Sequence, residues 1–429
     1  MNSKFIKELP HLVSENVISS EVASKIEAYY QSKASPSSNK LFTVFGVLGS
    51  LLVGLGIILI LAHNWDHFNR MTKTTFAFLP LVIGQVFVAF SILKKKSVAW
   101  KESSGTFLFF AIGSSIALVS QIYNIPGNLS TYVLTWIALS LPLIYLLKSN
   151  TIAFLNIIFI TFYAIEIGYT SYFSMPQTPW MYLVVIAAIM PHYLVLLKKQ
   201  EAPNITSIFS WLLPLSLTIV IGAFVKDVSE LGFLMYVLLF SLFYNIGKIP
   251  LLESQKLRRN GYLIFGSLGI VMMLLIMSFD SFWHIEHFFF GAQESVVSVV
   301  LLVANIYVLL YSYFKKWLKE FNAFQYVFIF CALLYVFGLN IPVLGTIAIN
   351  FSVLALGITT IKIGADKFHF GILNYGLLII AALVTCRFFD TNMSFVIRGL
   401  LFVSVGLGFF FTNYVMLKKQ KSRVESQNQ

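Results

Sequence analysis

The amino-acid sequence predicts an all-α integral membrane protein with about 14 transmembrane helices. Three observations predict this class: 58% of the 429 residues are hydrophobic, 16% are aromatic and only 11% are charged. A soluble domain carries about 25% charged residues because water must solvate its surface. A soluble fold of this size does not bury 42 Phe and 20 Tyr behind so little charge. The same composition excludes a disordered chain and a disulfide scaffold.

Residues 1–40 are predicted to form a cytoplasmic helical segment and a linker. Charged residues interrupt this stretch, so it lacks the apolar core of a cleavable signal peptide. Ser19, Ser20 and Glu21 form a typical helix start and predict a second short helix after a first one. A solvated helical hairpin is the favoured interpretation, and a regulatory domain is the alternative. Residues 35–39 are rich in Ser and contain Pro36, which indicates a linker.

The rest of the chain consists of apolar runs long enough to cross a bilayer. A helix needs about 20 mostly apolar residues for this, because its backbone polar groups must be bonded within the segment. The predicted spans are 41–62, 74–93, 105–123, 130–147, 151–169, 180–197, 205–224, 229–246, 261–280, 294–314, 322–338, 342–361, 370–386 and 394–417.

The basic residues predict that both termini lie in the cytoplasm. Lys and Arg form short clusters between the apolar runs, and cytoplasmic loops are enriched in these residues. With the N-terminus inside, all but five of the 30 Lys and Arg residues fall on the cytoplasmic side. The five exceptions are Arg70, Lys73, Lys226, Arg387 and Arg398. This distribution also argues against nucleic acid as a partner, although the net charge is +12.

The chain matches itself at an offset of about 218 residues, which predicts a parallel internal repeat. Asn124-Ile125-Pro126 pairs with Asn340-Ile341-Pro342, and Leu155-Asn156 pairs with Leu373-Asn374. Spans one to six would repeat as spans nine to fourteen. The predicted domains are the first membrane repeat at 41–200, connector spans at 201–260, the second membrane repeat at 261–417 and a basic cytoplasmic tail at 418–429.

Ionisable residues at membrane depth are few, and each is a candidate functional residue because a charge in lipid is costly. Glu166 lies near the outer end of the fifth span, and Arg387 ends the thirteenth. Because these spans are equivalent under the repeat, the two residues would lie at similar depth. We therefore consider a Glu166–Arg387 ion pair, with the alternative that both side chains extend to the outer surface.

A polar cluster is predicted toward the outer leaflet. Its candidate members are Asn64, Trp65, Asp66, Arg70, Gln121, Tyr123, Glu166, Arg387, Asp390 and Arg398. A purely structural interpretation is also sufficient for the first of them: Trp65 would anchor the chain at the interface, and Asp66 and Asn64 would cap the next helix.

The most metal-like residues are Asp280, His284, Glu286 and His287, since the two His lie three positions apart. Without a third ligand of defined spacing, an interfacial helix is the favoured interpretation, and we expect no metal. The surrounding aromatics look like a belt at the membrane surface, namely Phe282, Trp283, Phe288, Phe289 and Phe290.

For three further sets of residues, a structural role is the favoured interpretation. His192 follows Pro191 inside the sixth span, and a satisfied buried imidazole is preferred over a side chain that a kink exposes to the interior. Cys331 and Cys386 are expected to be packing residues. Glycines in the first and last spans are spaced for helix contact, and no nucleotide or catalytic motif is present. We therefore expect no cofactor.

Several segments resemble the domain-of-unknown-function 2157 family of predicted bacterial inner-membrane proteins. These segments are Leu12–Ser19, Asn64-Trp65-Asp66, Gln121-Ile122-Tyr123, Asn374-Tyr375-Gly376, Arg387-Phe388-Phe389-Asp390, Arg398–Phe402, Gly406-Leu407-Gly408 and Asn413. The resemblance implies a multi-pass fold in the bacterial inner membrane and supplies no catalytic residues. It favours these positions over their neighbours as site residues: Trp65, Asp66, Gln121, Tyr123, Arg387, Asp390, Arg398 and Gly399.

The leading functional hypothesis is translocation of a polar or lipid-linked solute, because duplicated helical halves with few charges can form an alternating-access site. A scaffold for an envelope complex is the second hypothesis. An integral membrane enzyme acting on lipid-linked substrates ranks last, with Asp66 or Glu166 as the base. The expected partner is the lipid bilayer, and a membrane protein or a second copy of the chain is the alternative partner.

Overall fold

A computed structural model of the chain describes residues 2–15, 17–33, 65–169, 176–199, 203–226, 229–283, 293–318, 320–338, 341–390 and 395–427, and this part contains helices and no strand. The α-helices are α1 (Asn2–Ser14), α2 (Ser20–Lys33), α3 (Arg70–Leu93), α4 (Val98–Tyr123), α5 (Leu129–Leu147), α6 (Asn150–Gly168), α7 (Trp180–Lys199), α8 (Pro203–Ile221), α9 (Ser229–Gly247), α10 (Pro250–Glu253), α11 (Gly261–Met277), α12 (Gln293–Phe314), α13 (Ala323–Gly338), α14 (Pro342–Asp366), α15 (Phe370–Asp390) and α16 (Phe395–Gln427).

Ten helical segments in the described part are long and apolar enough to cross a membrane, and three shorter apolar helices accompany them. The shorter ones are Gly261–Met277, Ala323–Tyr335 and Phe402–Val415. Each of these segments coincides with one predicted span. The first predicted span, 41–62, lies outside the described residues, so the total of 14 spans stays a prediction. The helical membrane class is confirmed.

The chain divides into two compact units, Met1–Phe76 and Ala77–Gln429. In the first unit, Ser19 Oγ accepts a hydrogen bond from the Val22 main-chain N–H at 3.3 Å, which confirms the predicted start of the second short helix. The predicted linker at 35–39 lies outside the described residues. The predicted division of the membrane part into two repeats and a connector stays a prediction.

The cap of α3 differs from the expected one. Asn69 Oδ1 accepts a hydrogen bond from the Thr72 main-chain N–H at 2.8 Å, so Asn69 is the capping residue. Asp66 instead lies in a short 3-10 helix, Trp65–His67, and is exposed. The cap lies later than expected because the chain makes this extra turn before α3 begins at Arg70. Asn64 lies outside the described residues.

The core of the second unit is built around α9, which packs against α8, α11, α12 and α13. Glycine permits its closest contact. A Cβ atom at Gly266 of α11 would lie 2.5 Å from the Tyr244 main-chain N of α9. Only a residue without a side chain therefore lets these two helix backbones approach this closely.

Two helices extend beyond their predicted apolar runs. Helix α4 begins at Val98 rather than residue 105, and α16 continues to Gln427 although its apolar run ends near residue 417. Charged residues mark where a helix leaves the hydrocarbon, and they are also good helix formers. A helix can therefore continue through the charged positions that end its membrane span.

Candidate functional site

The first predicted site residues lie at the start of α3 in the first unit. Trp65 is half-buried, and the Lys73 ammonium lies 5.7 Å from the centre of its ring. Arg70 is exposed at the first position of α3. Gln121 and Tyr123 lie in the second unit, at the C-terminal end of α4, and are also exposed. Convergence of these residues on one pocket stays a prediction.

Glu166 and Arg387 are both half-buried and lie near the ends of α6 and α15. The Arg387 guanidinium donates a hydrogen bond to Ser278 Oγ at 3.1 Å and stands 5.1 Å from the centre of the Phe279 ring. No ion pair joins Glu166 and Arg387 in the described part of the chain. Their helices pack on different neighbours, since α6 contacts α4, α5, α7 and α8, whereas α15 contacts α11, α14 and α16.

Arg387 lies close to Asp280, one of the four candidate metal ligands. Asp280 Oδ1 accepts a hydrogen bond from Thr346 Oγ1 at 3.1 Å, and Asn350 Nδ2 donates to the Ser278 carbonyl at 3.0 Å. Polar atoms at the end of α11 therefore lie beside α14 and α15. The other three metal candidates, His284, Glu286 and His287, lie outside the described residues, as do the side chains of Asp390 and Arg398.

Trp283 does not belong to an aromatic belt at the membrane surface. Its side chain is fully buried, and its indole Nε1–H donates to the Met277 carbonyl at 2.8 Å. A Cβ atom at Gly345 would lie 2.4 Å from the indole ring, so α14 packs directly against it. Indole has an apolar body and one donor, so it suits the core as well as the interface when a carbonyl accepts its N–H.

A half-buried polar cluster at the start of α6 was not predicted. The Glu102 carboxylate of α4 accepts hydrogen bonds from Ser149 Oγ, from the Asn150 main-chain N–H at 2.9 Å and from the Thr151 main-chain N–H at 3.1 Å. His192 Nε2 lies 3.0 Å from Asn150 Oδ1, so its imidazole is hydrogen-bonded. Glu102 thus caps a neighbouring helix. Its position beside Lys101, near the start of α4, resembles that of an ordinary solvated charge, so the sequence does not reveal this capping role.

A lateral groove with a volume of about 1240 Å³ lies between α3, α4 and α5. We call it the α3–α5 groove. Its walls are mostly apolar, and no charged residue lines it. The apolar lining includes Phe78, Leu81, Val88, Ile92, Leu108, Ile112, Ile116, Leu139, Leu143 and Leu146. Of the predicted site residues that the structure describes, none lines the groove.

Small residues on one face of α3 create the groove. Ser115 Oγ of α4 donates to the Ala77 carbonyl at 2.7 Å, and Ser104 Oγ donates to Ser91 Oγ at 3.4 Å. Between these two contacts, a Cβ atom at Gly84 would lie 3.1 Å from Leu108 Cδ1. Helix α3 therefore contacts α4 closely along this face, while its larger side chains remain on the open side next to α5.

The opposite wall is held by two aromatic side chains of α5. Trp136 Nε1–H donates to the Phe109 carbonyl at 2.7 Å, and Tyr132 OH donates to the Gly113 carbonyl at 3.1 Å. Gly113 lies against the Trp136 ring, since a Cβ atom there would lie 2.4 Å from it. These contacts fix α5 against α4 and keep the groove open between α5 and α3.

One end of the groove is polar but uncharged. The loop between α4 and α5 lines this end, together with Ser120 and Thr131. Ser120 Oγ donates to the Ile125 carbonyl at 2.9 Å, and Asn128 Oδ1 accepts from the Thr131 main-chain N–H at 2.8 Å. The groove therefore combines mostly apolar walls, interrupted by Gln85, Ser115 and Thr135, with a cluster of neutral hydrogen-bonding groups at one end. This arrangement has no signature in sequence, because it depends on the spacing of three helices.

These features define a multi-pass helical membrane protein with an apolar groove in its N-terminal membrane helices. Residues 10–153 match the family model described as "Predicted membrane protein (DUF2157)". The match confirms the predicted resemblance over this part of the chain and includes every residue that lines the groove. No curated protein and no solved structure matches the chain. The resemblance of the C-terminal segments stays a prediction.

Proposed function

We propose that the protein binds a lipid or lipid-linked solute in the α3–α5 groove and moves its polar headgroup across the membrane. The observation that carries this proposal is the groove itself, with mostly apolar walls, no charged lining residue and a cluster of neutral polar groups at one end. Ligand sites are typically concave and mostly apolar, with a few polar groups that orient the ligand. An amphiphile with hydrocarbon at one end and a polar head at the other has the matching distribution of polarity.

The length of the groove supports a hydrocarbon chain as its occupant. On α3 the lining extends from Phe78 to Ile92, which is about 21 Å of helix at a rise of about 1.5 Å per residue. The hydrocarbon core of a bilayer is about 30 Å thick. A chain lying in the groove would therefore run parallel to the helices through most of one leaflet and into the other.

The proposal places the protein in the bacterial inner membrane and gives its orientation there. The resemblance implies the bacterial inner membrane, and the clusters of Lys and Arg predict that both termini face the cytoplasm. Under this orientation, the polar end of the groove at residues 125–128 faces outward, and Lys94 to Lys96 mark the cytoplasmic end of α3. A lipid headgroup would therefore meet the neutral loop on the outer side.

A lipid-flipping assay tests this proposal. The full chain is reconstituted in liposomes containing a fluorescent phosphatidylcholine, and dithionite reduces the fluorophore that reaches the outer leaflet. We expect faster flipping than in protein-free liposomes. We expect Ala117→Phe to reduce the rate at least tenfold, because Ala117 lines the groove and a phenyl ring there would protrude into the path of the lipid.

Ala138→Phe is the matched control, since Ala138 is an exposed residue of α5 that does not line the groove. Equal rates in the two variants would show that the groove is not the route. No flipping by any variant, together with a stable protein neighbour recovered by cross-linking, would instead favour the scaffold hypothesis.

A further inference from the structure

The buried face of α12 consists of polar residues. These are Glu294, Ser298, Asn305 and Ser312, which are 0%, 6%, 0% and 7% exposed. The spacing of four, seven and seven residues places them on one side of the helix. Exposed residues of the same helix, such as Val299, Val303 and Tyr307, are large and apolar. A membrane helix with this distribution directs its polar side toward protein, where such residues mark ion and substrate paths.

Helix α9 faces this polar stripe with polar groups of its own. Asn305 Nδ2 donates to the Leu238 carbonyl of α9 at 2.8 Å and to the Leu301 carbonyl of its own helix at 2.9 Å. Ser241 lies three residues after Leu238, so it lies one turn further on the same face of α9. Asn245 lies one turn beyond, and its Nδ2 donates to the Gln325 carbonyl of α13 at 3.3 Å.

Ser241 Oγ and Asn245 Oδ1 of α9 and Asn305 Oδ1 of α12 are oxygen atoms that have no hydrogen-bond partner among the described residues, and the same holds for Ser298 Oγ, seven residues before Asn305. Ser241 and Asn305 are fully buried, and Asn245 is 2% exposed. Both amide groups use N–H atoms on main-chain carbonyls, so the unpaired atom of each is its acceptor oxygen. A buried acceptor without a donor is costly, which indicates that a ligand completes this set.

The chemistry of Ser241 Oγ, Asn245 Oδ1 and Asn305 Oδ1 favours a cation over a polar organic ligand. Hydroxyl and amide oxygens are the neutral, hard ligands that alkali and alkaline-earth cations prefer. Because none of the three carries a charge, a monovalent cation is favoured over a divalent one. Glu294 lies on the same face of α12, where its carboxyl group accepts a hydrogen bond from the Lys226 main-chain N–H. When this carboxyl group is ionised, its charge raises the local concentration of cations at one end of the stripe.

We propose that Ser241, Asn245 and Asn305 bind a dehydrated Na⁺ ion between α9 and α12, and that Glu294 attracts the ion to this site. The site is independent of the α3–α5 groove and requires no lipid. In a transporter, binding of Na⁺ between two core helices would couple the ion gradient to movement of those helices.

Thermal unfolding of the detergent-purified full chain tests the proposal. The melting temperature is compared in NaCl, KCl and choline chloride at equal ionic strength and at pH 6, 7 and 8. We expect Na⁺ to raise the melting temperature in a saturable manner, because a ligand that binds only the folded state stabilises it. A melting temperature that depends on pH but not on Na⁺ would overturn the assignment of a metal cation, and equal values in all three salts would overturn the site.

Ser241→Ala is the decisive variant. If Ser241 Oγ is only an unpaired buried hydroxyl, its removal leaves stability unchanged or increases it and preserves any effect of Na⁺. The proposal instead requires that Ser241→Ala lose the Na⁺-dependent shift while the variant still folds in choline chloride. Asn305→Ala should lose the same shift. Ser312→Ala is the matched control, since Ser312 lies on the same buried stripe seven residues away and should keep the full shift.

This result is separable from that of the lipid assay. A normal Na⁺ shift in Ala117→Phe, with its flipping abolished, would support both proposals. A Na⁺ shift without any flipping in the unmodified protein would overturn only the lipid proposal. Flipping without a Na⁺ shift would overturn only the cation site.

Discussion

The α3–α5 groove and the α9–α12 interface place their polar atoms in opposite ways. The groove has mostly apolar walls and a cluster of neutral polar groups at one end, whereas the α9–α12 interface is polar along the buried face of α12 and apolar on the outside. In water, the stability of both regions would depend on the burial of apolar surface. In a bilayer the solvent is itself apolar. The position of the polar groups, rather than the burial of apolar ones, therefore distinguishes a surface that binds hydrocarbon from one that binds an ion.

The largest expected effect compares the close packing of α11 against α9 with the open packing at the polar end of the groove. Gly266→Ala places a Cβ atom 2.5 Å from the Tyr244 main-chain N, and only a shift of α11 away from α9 can relieve this contact. Overpacking of this kind costs about 3 kcal/mol. Gly127→Ala at the polar end of the groove has no atom within 4 Å of the added Cβ and should leave stability unchanged.

Thermal unfolding of both variants in the same detergent measures this difference. Equal melting temperatures for Gly266→Ala and the unmodified chain would contradict the close approach of α9 and α11. The lipid-flipping rate of Gly127→Ala should also remain normal, since a methyl group there does not narrow the walls.

An intermediate effect is expected at Glu102, whose carboxylate has a structural role, in contrast to Glu294, which we propose attracts the cation. Glu102→Ala removes the acceptor for Ser149 Oγ and for two main-chain N–H groups at the start of α6. Loss of such charge-assisted hydrogen bonds costs about 2 kcal/mol. Because Glu102 caps a helix and lies outside the α9–α12 interface, the Na⁺-dependent shift should stay intact.

Glu102→Gln is the control for this prediction. Its remaining carbonyl oxygen still accepts hydrogen bonds, so its melting temperature should fall between those of the unmodified chain and Glu102→Ala. A loss of the Na⁺ shift in Glu102→Ala would mean that the two regions are not independent.

The smallest effect is expected for an exposed ion pair outside both regions. Lys367 Nζ lies 2.8 Å from Glu320 Oε2, and this hydrogen bond and charge hold the pKa of Glu320 below its usual range. A carboxyl with a lowered pKa stabilises the folded state above its unfolded pKa, and this contribution is lost as the pH falls through the folded pKa. Because solvent and salt screen an exposed pair, the effect is small.

Melting temperatures of Glu320→Gln and the unmodified chain, measured from pH 7 down to pH 3 in low salt, test this. The small difference near pH 7 should shrink toward zero at the acidic end. A difference that grows as the pH falls would contradict the lowered pKa.

The helices were largely predictable because hydropathy directly reflects the bilayer. Every predicted run in the described part coincides with an apolar helix. Helix ends were less predictable: α4 begins seven residues before its predicted span, since Lys101 and Glu102 mark the membrane edge but not the helix end. Likewise Asn69, rather than Asp66, caps α3, because the chain forms a short 3-10 helix in between.

The candidate sites were less predictable than the fold. The groove depends on the distances between three helices. Small residues such as Ala77 and Gly84 set these distances through their contacts with α4, and the sequence does not show which residues they contact. The polar stripe of α12 does have a sequence signal. Glu294, Ser298, Asn305 and Ser312 recur at helical spacing in an apolar run, and a search for polar periodicity within each predicted span would have found them.

The central claim is that the α3–α5 groove holds a lipid chain more tightly than the rest of the membrane-facing surface does. The most direct test reconstitutes the full chain with a phospholipid that carries a photoactivatable diazirine in its acyl chain and maps the labelled peptides by mass spectrometry. We predict stronger labelling at Ile112 and Ile116 of the groove than at the exposed Val299 and Val303 of α12, and loss of the groove label in Ala117→Phe. Equal labelling of the two surfaces, unchanged in that variant, would contradict the claim.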